Sequence, residues 1–131
     1  MTSNLQRISG TRIVATPAAL DRLTLPVDAL VMRFAADEAF VTANVAADAI
    51  ADPYAIASAD SGFVGTWTKN EQALDFLQRT CEWRLPAQRP AFAQGMVAGL
   101  PMKLWFAEDE VLLMVAAPYA SDLLERMQGS H

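Results

Sequence analysis

The stretch Met102-Lys-Leu-Trp-Phe-Ala-Glu-Asp-Glu-Val-Leu-Leu-Met-Val115 decides the fold class. Met102, Leu104 and Phe106 alternate with Lys103 and Trp105, the two-residue period of a strand that buries one face. The acidic triplet Glu108-Asp109-Glu110 breaks this pattern, and the run Val111 to Val115 is then apolar at every position, as expected of a central strand covered on both faces. The stretch therefore reads as a hairpin within a sheet.

Outward from it, Phe92 to Val97 reads as a further strand, with a turn at Gly99-Leu100-Pro101. Pro118 opens a last helix through Met127, with Leu123, Leu124 and Met127 on its buried side. Upstream, Asn70 is placed to cap a helix over Glu71 to Thr80, where Ala73, Leu74 and Leu77 form an apolar stripe. The Pro-punctuated segment from Glu82 to Pro90 reads as loop, with Trp83 and Leu85 packed over the core. In the first half, Thr11 to Ala15 reads as a strand, and Thr16-Pro17 starts a short helix reaching Leu23. Two alternating runs, Ala29 to Phe34 and Phe40 to Val45, form a hairpin around Ala36-Asp37-Glu38. Between Ala46 and Ile56 the pattern allows a helical turn that ends before Pro53. Asp60-Ser61-Gly62 signals a turn, followed by a strand from Phe63 to Thr68.

Three fragments recur in order. Ala19-Leu-Asp-Arg-Leu23, Phe34-Ala-Ala-Asp-Glu38 and Pro53-Tyr-Ala55 are echoed by Ala73-Leu-Asp-Phe-Leu77, Phe106-Ala-Glu-Asp-Glu110 and Pro118-Tyr-Ala120, at unequal spacings. Ordered recurrence suggests two related halves. The expected fold class is α+β: two strand-helix-hairpin halves forming a mostly antiparallel sheet with helices packed on it. Met1 to Ser9 reads as a flexible N-terminus, residues 10–128 as a single α+β domain, and Gly129-Ser130-His131 as the remnant of a tag.

Composition bounds the function. A 131-residue chain suits one domain, and 53% hydrophobic against 19% charged residues argues for a packed core or a partner-facing apolar surface. The net charge of −5, with no basic block, lacks the electrostatic footprint of a nucleic-acid binder. No apolar run approaches the roughly 20 residues that cross a bilayer, and the N-terminus lacks the charged-then-apolar order of a secretory signal, so a cytoplasmic location is expected. A single cysteine, Cys81, cannot form an internal disulfide or anchor a zinc site alone, and the one histidine is His131. Without His131 no imidazole is left for a Ser-His-Asp or Cys-His site or for a histidine-ligated metal. No catalytic, metal or nucleotide motif is legible, and no cofactor is expected on this chain.

Several residue groups are candidate sites. The carboxylates Asp37-Glu38 and Glu108-Asp109-Glu110 could do acid–base or hard-metal chemistry, but at hairpin tips they read as solvated charge. Asp60-Ser-Gly-Phe-Val-Gly65 lacks the third glycine and the strand-before, helix-after setting of a dinucleotide fingerprint. Cys81 follows a helix C-terminus, the wrong end to stabilise a thiolate, and reads as a packed small residue. Trp67, Trp83 and Trp105 with Phe92 and Tyr54 read as core, or as the lining of an aromatic pocket. Lys103 and Trp105 share the outward face of their strand and are the candidate partner contact, since interface centres are enriched in aromatics.

The segment Leu74-Asp-Phe-Leu-Gln-Arg-Thr-Cys81-Glu-Trp-Arg-Leu85, then Ala98-Gly-Leu-Pro-Met-Lys-Leu-Trp105, Leu112-Leu-Met-Val115 and Tyr119-Ala-Ser-Asp-Leu-Leu124, resembles the C-terminal half of the sarcosine oxidase gamma subunit. Arg33-Phe-Ala-Ala-Asp-Glu38-Ala-Phe-Val41 is similar to the strand–Pro-Asp-Glu–strand hairpin of that subunit and of the related aminomethyltransferase folate domain. Ala36 stands where that pattern has proline, and Ala57 to Gly62 does not reproduce its Asp-Val-Ser-type segment. The resemblance implies a folate-domain-like fold and the role of a non-catalytic accessory subunit assembled with larger subunits of a flavin-dependent amine oxidase. The alternatives from the residues themselves are a free-standing folate or small-ligand binder, a one-carbon enzyme, or a self-associating module. None of these involves nucleic acid or a membrane.

Overall fold

A computed structural model describes residues 4–129. Ser130 and His131 of the expected tag remnant and the first three residues lie outside them, while Gly129 closes the last helix. The elements run β1 (Gln6–Val14), α1 (Pro17–Asp21), β2 (Val31–Ala35), β3 (Glu38–Val41), β4 (Ile56–Lys69), α2 (Asn70–Thr80), β5 (Ala91–Val97), β6 (Leu100–Phe106), β7 (Glu110–Ala116) and α3 (Ala120–Gly129), with short 3₁₀ turns at Ala47–Ala49 and Ala117–Tyr119. The protein is α+β, with an antiparallel sheet of seven strands in the order β2-β3-β1-β4-β7-β6-β5. The described residues cluster into two compact units, one of residues 8–61 and one of residues 62–129 with residues 4–7.

In the unit of residues 8–61, β1 pairs with β3 and β3 with β2. Thr16 caps α1 as expected, its hydroxyl accepting from the Ala19 N–H at 3.2 Å with Pro17 in the first turn. The helix stops at Asp21, short of Leu23. Ala19 and Leu20 pack on Ile13, Ala39, Val41 and Ile50 to form this unit's core. Thr11 is buried, and its hydroxyl donates to the Ala43 carbonyl at 2.7 Å and accepts from the Val45 N–H at 3.2 Å, which fixes the chain leaving β3.

In the other unit, β4 pairs with β7, β7 with β6 and β6 with β5. Ala73, Phe76 and Leu77 of α2 and Leu123 and Met127 of α3 pack on Met102, Leu104, Phe106, Val111, Leu113 and Val115. Trp83 and Leu85 pack against this core, as their pattern predicts. Trp83 lies so close to the strand that a Cβ on Gly95 would come within 2.8 Å of its indole. Its Nε1–H donates to the Met96 carbonyl at 2.8 Å, so the loop shields part of the β5 edge.

In the first unit a strand and a helix are followed by a hairpin, and in the second a strand and a helix are followed by an additional strand, β5, and then a hairpin; in each the hairpin's second strand returns to pair with the first strand. In one register Thr11 lies opposite Val41 and Val14 opposite Glu38; in the other Thr66 lies opposite Leu113 and Lys69 opposite Glu110. The residue after each first strand is tied to a hairpin tip in the same way. The Ala15 N–H donates to the Asp37 carbonyl at 3.1 Å, and the Asn70 N–H to the Asp109 carbonyl at 3.0 Å. Two of the recurring fragments thus sit at matching places, on the helices and at the hairpin tips. The third does not: Pro53-Tyr-Ala55 leads into β4, whereas Pro118-Tyr-Ala120 leads into α3.

Four further local expectations are corrected. β1 starts already at Gln6, so part of the segment read as a flexible terminus is strand. Asp60-Ser61-Gly62 is not a turn; β4 runs straight through it from Ile56. Strand pairing overrides the local turn preference there, and the Asp60 carboxylate is taken up by Arg12 of β1 at 3.1 Å. The β5–β6 turn is Ala98-Gly99 rather than Gly99 to Pro101, with φ of 53° and 80° at the two residues. Two successive positive φ angles are what a tight two-residue hairpin matched to strand twist requires, and Pro101 enters β6 opposite Met96. Asn70 does not cap α2: it is the first helical residue, and its side-chain carbonyl accepts from Arg89 Nη2 at 3.1 Å.

Buried threonines allow a direct test of polar satisfaction. Thr68 is only 3% exposed, and its hydroxyl has no hydrogen-bond partner among the described residues, whereas that of Thr11 has two. Thr68→Val is therefore expected to stabilise the protein by about 1 kcal/mol and Thr11→Val to destabilise it by about 1–3 kcal/mol. Chemical denaturation of both variants checks the contrast, and equal shifts would refute it.

Candidate functional site

The register of the second unit places Trp67, Leu112, Trp105 and Phe92 in one row across β4, β7, β6 and β5. The next row is Gly65, Met114, Lys103 and Gln94. Directly opposed residues point to the same side, so both rows lie on the sheet face opposite α2 and α3. Leu112 and Met114 are buried, while Trp67, Trp105 and Phe92 are half-buried. Trp105 is thus less exposed than an outward strand position suggested. Lys103 is also half-buried, its ammonium donating to Gln94 Oε1 at 2.7 Å across the strand pair.

Of the five aromatics weighed as a pocket, three share this row. Trp83 lies over Gly95, which pairs with Met102 and so faces the helices. Tyr54 belongs to the other unit and is 88% exposed. The register, not the aromatic count, decides which residues meet.

A second feature of this unit is an open cavity of about 770 Å³, lined by Lys69, Asn70, Glu71 and Gln72 on one side and by Ala107, Glu108, Asp109 and Glu110 on the other. It forms because α2 begins immediately after β4, while the acidic hairpin tip is drawn against that junction by the Asn70 N–H to Asp109 carbonyl bond. Lys69 occupies the cap position and makes no side-chain capping bond. Uncapped amides at a helix start favour negative charge, but Glu108, Asp109 and Glu110 are exposed at the same opening and oppose it. Such a cavity supplies neither a nucleophile–base pair nor a coordination cage. Arg89 stands behind Asn70, its guanidinium 4.7 Å from the Phe106 ring centroid.

The acidic residues of the first hairpin behave differently from the solvated charge expected. Asp37 is exposed, but Glu38 lies in β3 and accepts from Arg12 Nη1 at 2.6 Å. Arg12 also pairs with Asp60 at 3.1 Å and lies 4.9 Å from the centroid of Phe34, which stacks on Phe40 at 6.2 Å. This grouping joins residues distant in sequence, and no local signal announced it. Cys81 packs against the core as expected, its thiol donating to the Trp83 carbonyl at 3.5 Å.

Among the described residues, no group of three or more His, Cys, Asp or Glu side chains is arranged to hold a metal, and no helix is long and apolar enough to cross a membrane. Comparison with known proteins finds no matching family model, no matching curated protein and no matching solved structure.

Proposed function

We propose that the chain is a non-catalytic accessory subunit, similar to sarcosine oxidase gamma subunits, that assembles with larger subunits of a flavin-dependent amine oxidase. The observation that carries this reading is that in each unit a hairpin's second strand returns to pair with the strand before the helix, with matching registers and matching ties at the hairpin tips, β5 being an addition of the second unit. It supports a duplicated, folate-domain-like fold of the kind the resemblance implies. The Lys103 and Trp105 side chains offer the contact, an aromatic beside a cation on a regular strand. Tagging the chain in its source organism and identifying co-purifying proteins by mass spectrometry tests the proposal. Larger flavoprotein subunits are the expected result, and recovery of the chain alone would overturn it. In the assembled complex, Lys103→Glu should weaken capture of the partner about tenfold, equivalent to about 1.4 kcal/mol. Losing the Gln94 hydrogen bond should cost the isolated chain about 1 kcal/mol, so its unfolding midpoint is measured beside the capture to separate loss of contact from loss of fold.

The cavity beside α2 favours a second reading, a free-standing binder of folate or another small ligand. On that reading, titration with a folate and flavin panel quenches tryptophan fluorescence saturably, and Lys69→Glu weakens the quench. A flat response across the panel would refute it.

A further inference from the structure

We draw no further inference here: the strongest candidate, the open cavity between the first turn of α2 and the acidic β6–β7 tip, belongs to the site already described and offers only a helix N-terminus facing carboxylates, with no second observation to say which ligand it takes.

Discussion

Gly10→Ala is expected to destabilise the protein by about 3 kcal/mol, at the upper end of the usual cost of overpacking. A Cβ on Gly10 would collide with the Val41 carbonyl oxygen and lie 2.9 Å from its carbon and 3.1 Å from the Phe40 ring. Two of these atoms are backbone, so no rotamer change relieves the contact. Nor can Val41 retreat freely, because β3 is held by β1 on one side and β2 on the other. Relief requires prying β1 from β3 where Thr11 faces Val41, which also disturbs the buried Thr11 hydrogen bonds. Against a total stability of about 5–15 kcal/mol, such a loss should lower the urea midpoint substantially. Gly99→Ala is the control. Nothing lies within 4 Å of a Cβ there, but φ is +80°, so its cost is conformational and near 1 kcal/mol. A Gly10→Ala midpoint no lower than that of Gly99→Ala would show that the close approach at Val41 does not constrain the strand pair.

That contact also marks where the sequence stops being informative. Gly10 precedes a strand pattern and gives no local sign that a carbonyl will press on it, because Val41 is distant along the chain. The same holds for Arg12, whose partners Glu38 and Asp60 come from two other strands. By contrast, elements set by period and local chemistry were legible. The alternation of Met102, Leu104 and Phe106 gave β6, the continuous apolar run gave β7, and Thr16-Pro17 gave the start of α1. The errors fell where a local preference met a tertiary demand. Asp60-Ser-Gly62 carries turn residues, but its neighbours hold it extended. Asn70 is a good capping residue, but Arg89 engages its side-chain carbonyl.

The candidate sites follow the same division. That Lys103 and Trp105 share a strand face was readable from a period of two, and the registers extend it to a row with Trp67, Leu112 and Phe92. How deeply Trp105 would be buried was not readable, because burial depends on what lies across that face. The cavity beside α2 was missed although both of its sides had been recognised, as a helix start and as an acidic tip. Only the Asn70–Asp109 backbone bond brings them together, and backbone bonds between loops leave no signature in side-chain pattern.

Phe106→Ala carries the largest expected loss, about 3–5 kcal/mol, the usual range for emptying a buried aromatic site. Phe106 is fully buried in the core that unites β6 and β7 with α2 and α3. Two features oppose collapse of the resulting cavity. Val111, directly opposite on β7, is fixed by the strand register. The helices are anchored through Phe76, Leu77 and Leu123, all fully buried. On the remaining side, the Arg89 guanidinium lies 4.7 Å from the ring centroid and loses its aromatic partner. A double-mutant cycle with Arg89→Ala separates these contributions. A coupling of about 0.5–1 kcal/mol is expected for a half-exposed cation over a ring, with the rest of the Phe106→Ala loss due to the cavity. A coupling near zero would mean that Arg89 acts through Asn70 alone, and a Phe106→Ala loss below about 2 kcal/mol would mean that the core of this unit repacks more freely than its buried helices imply.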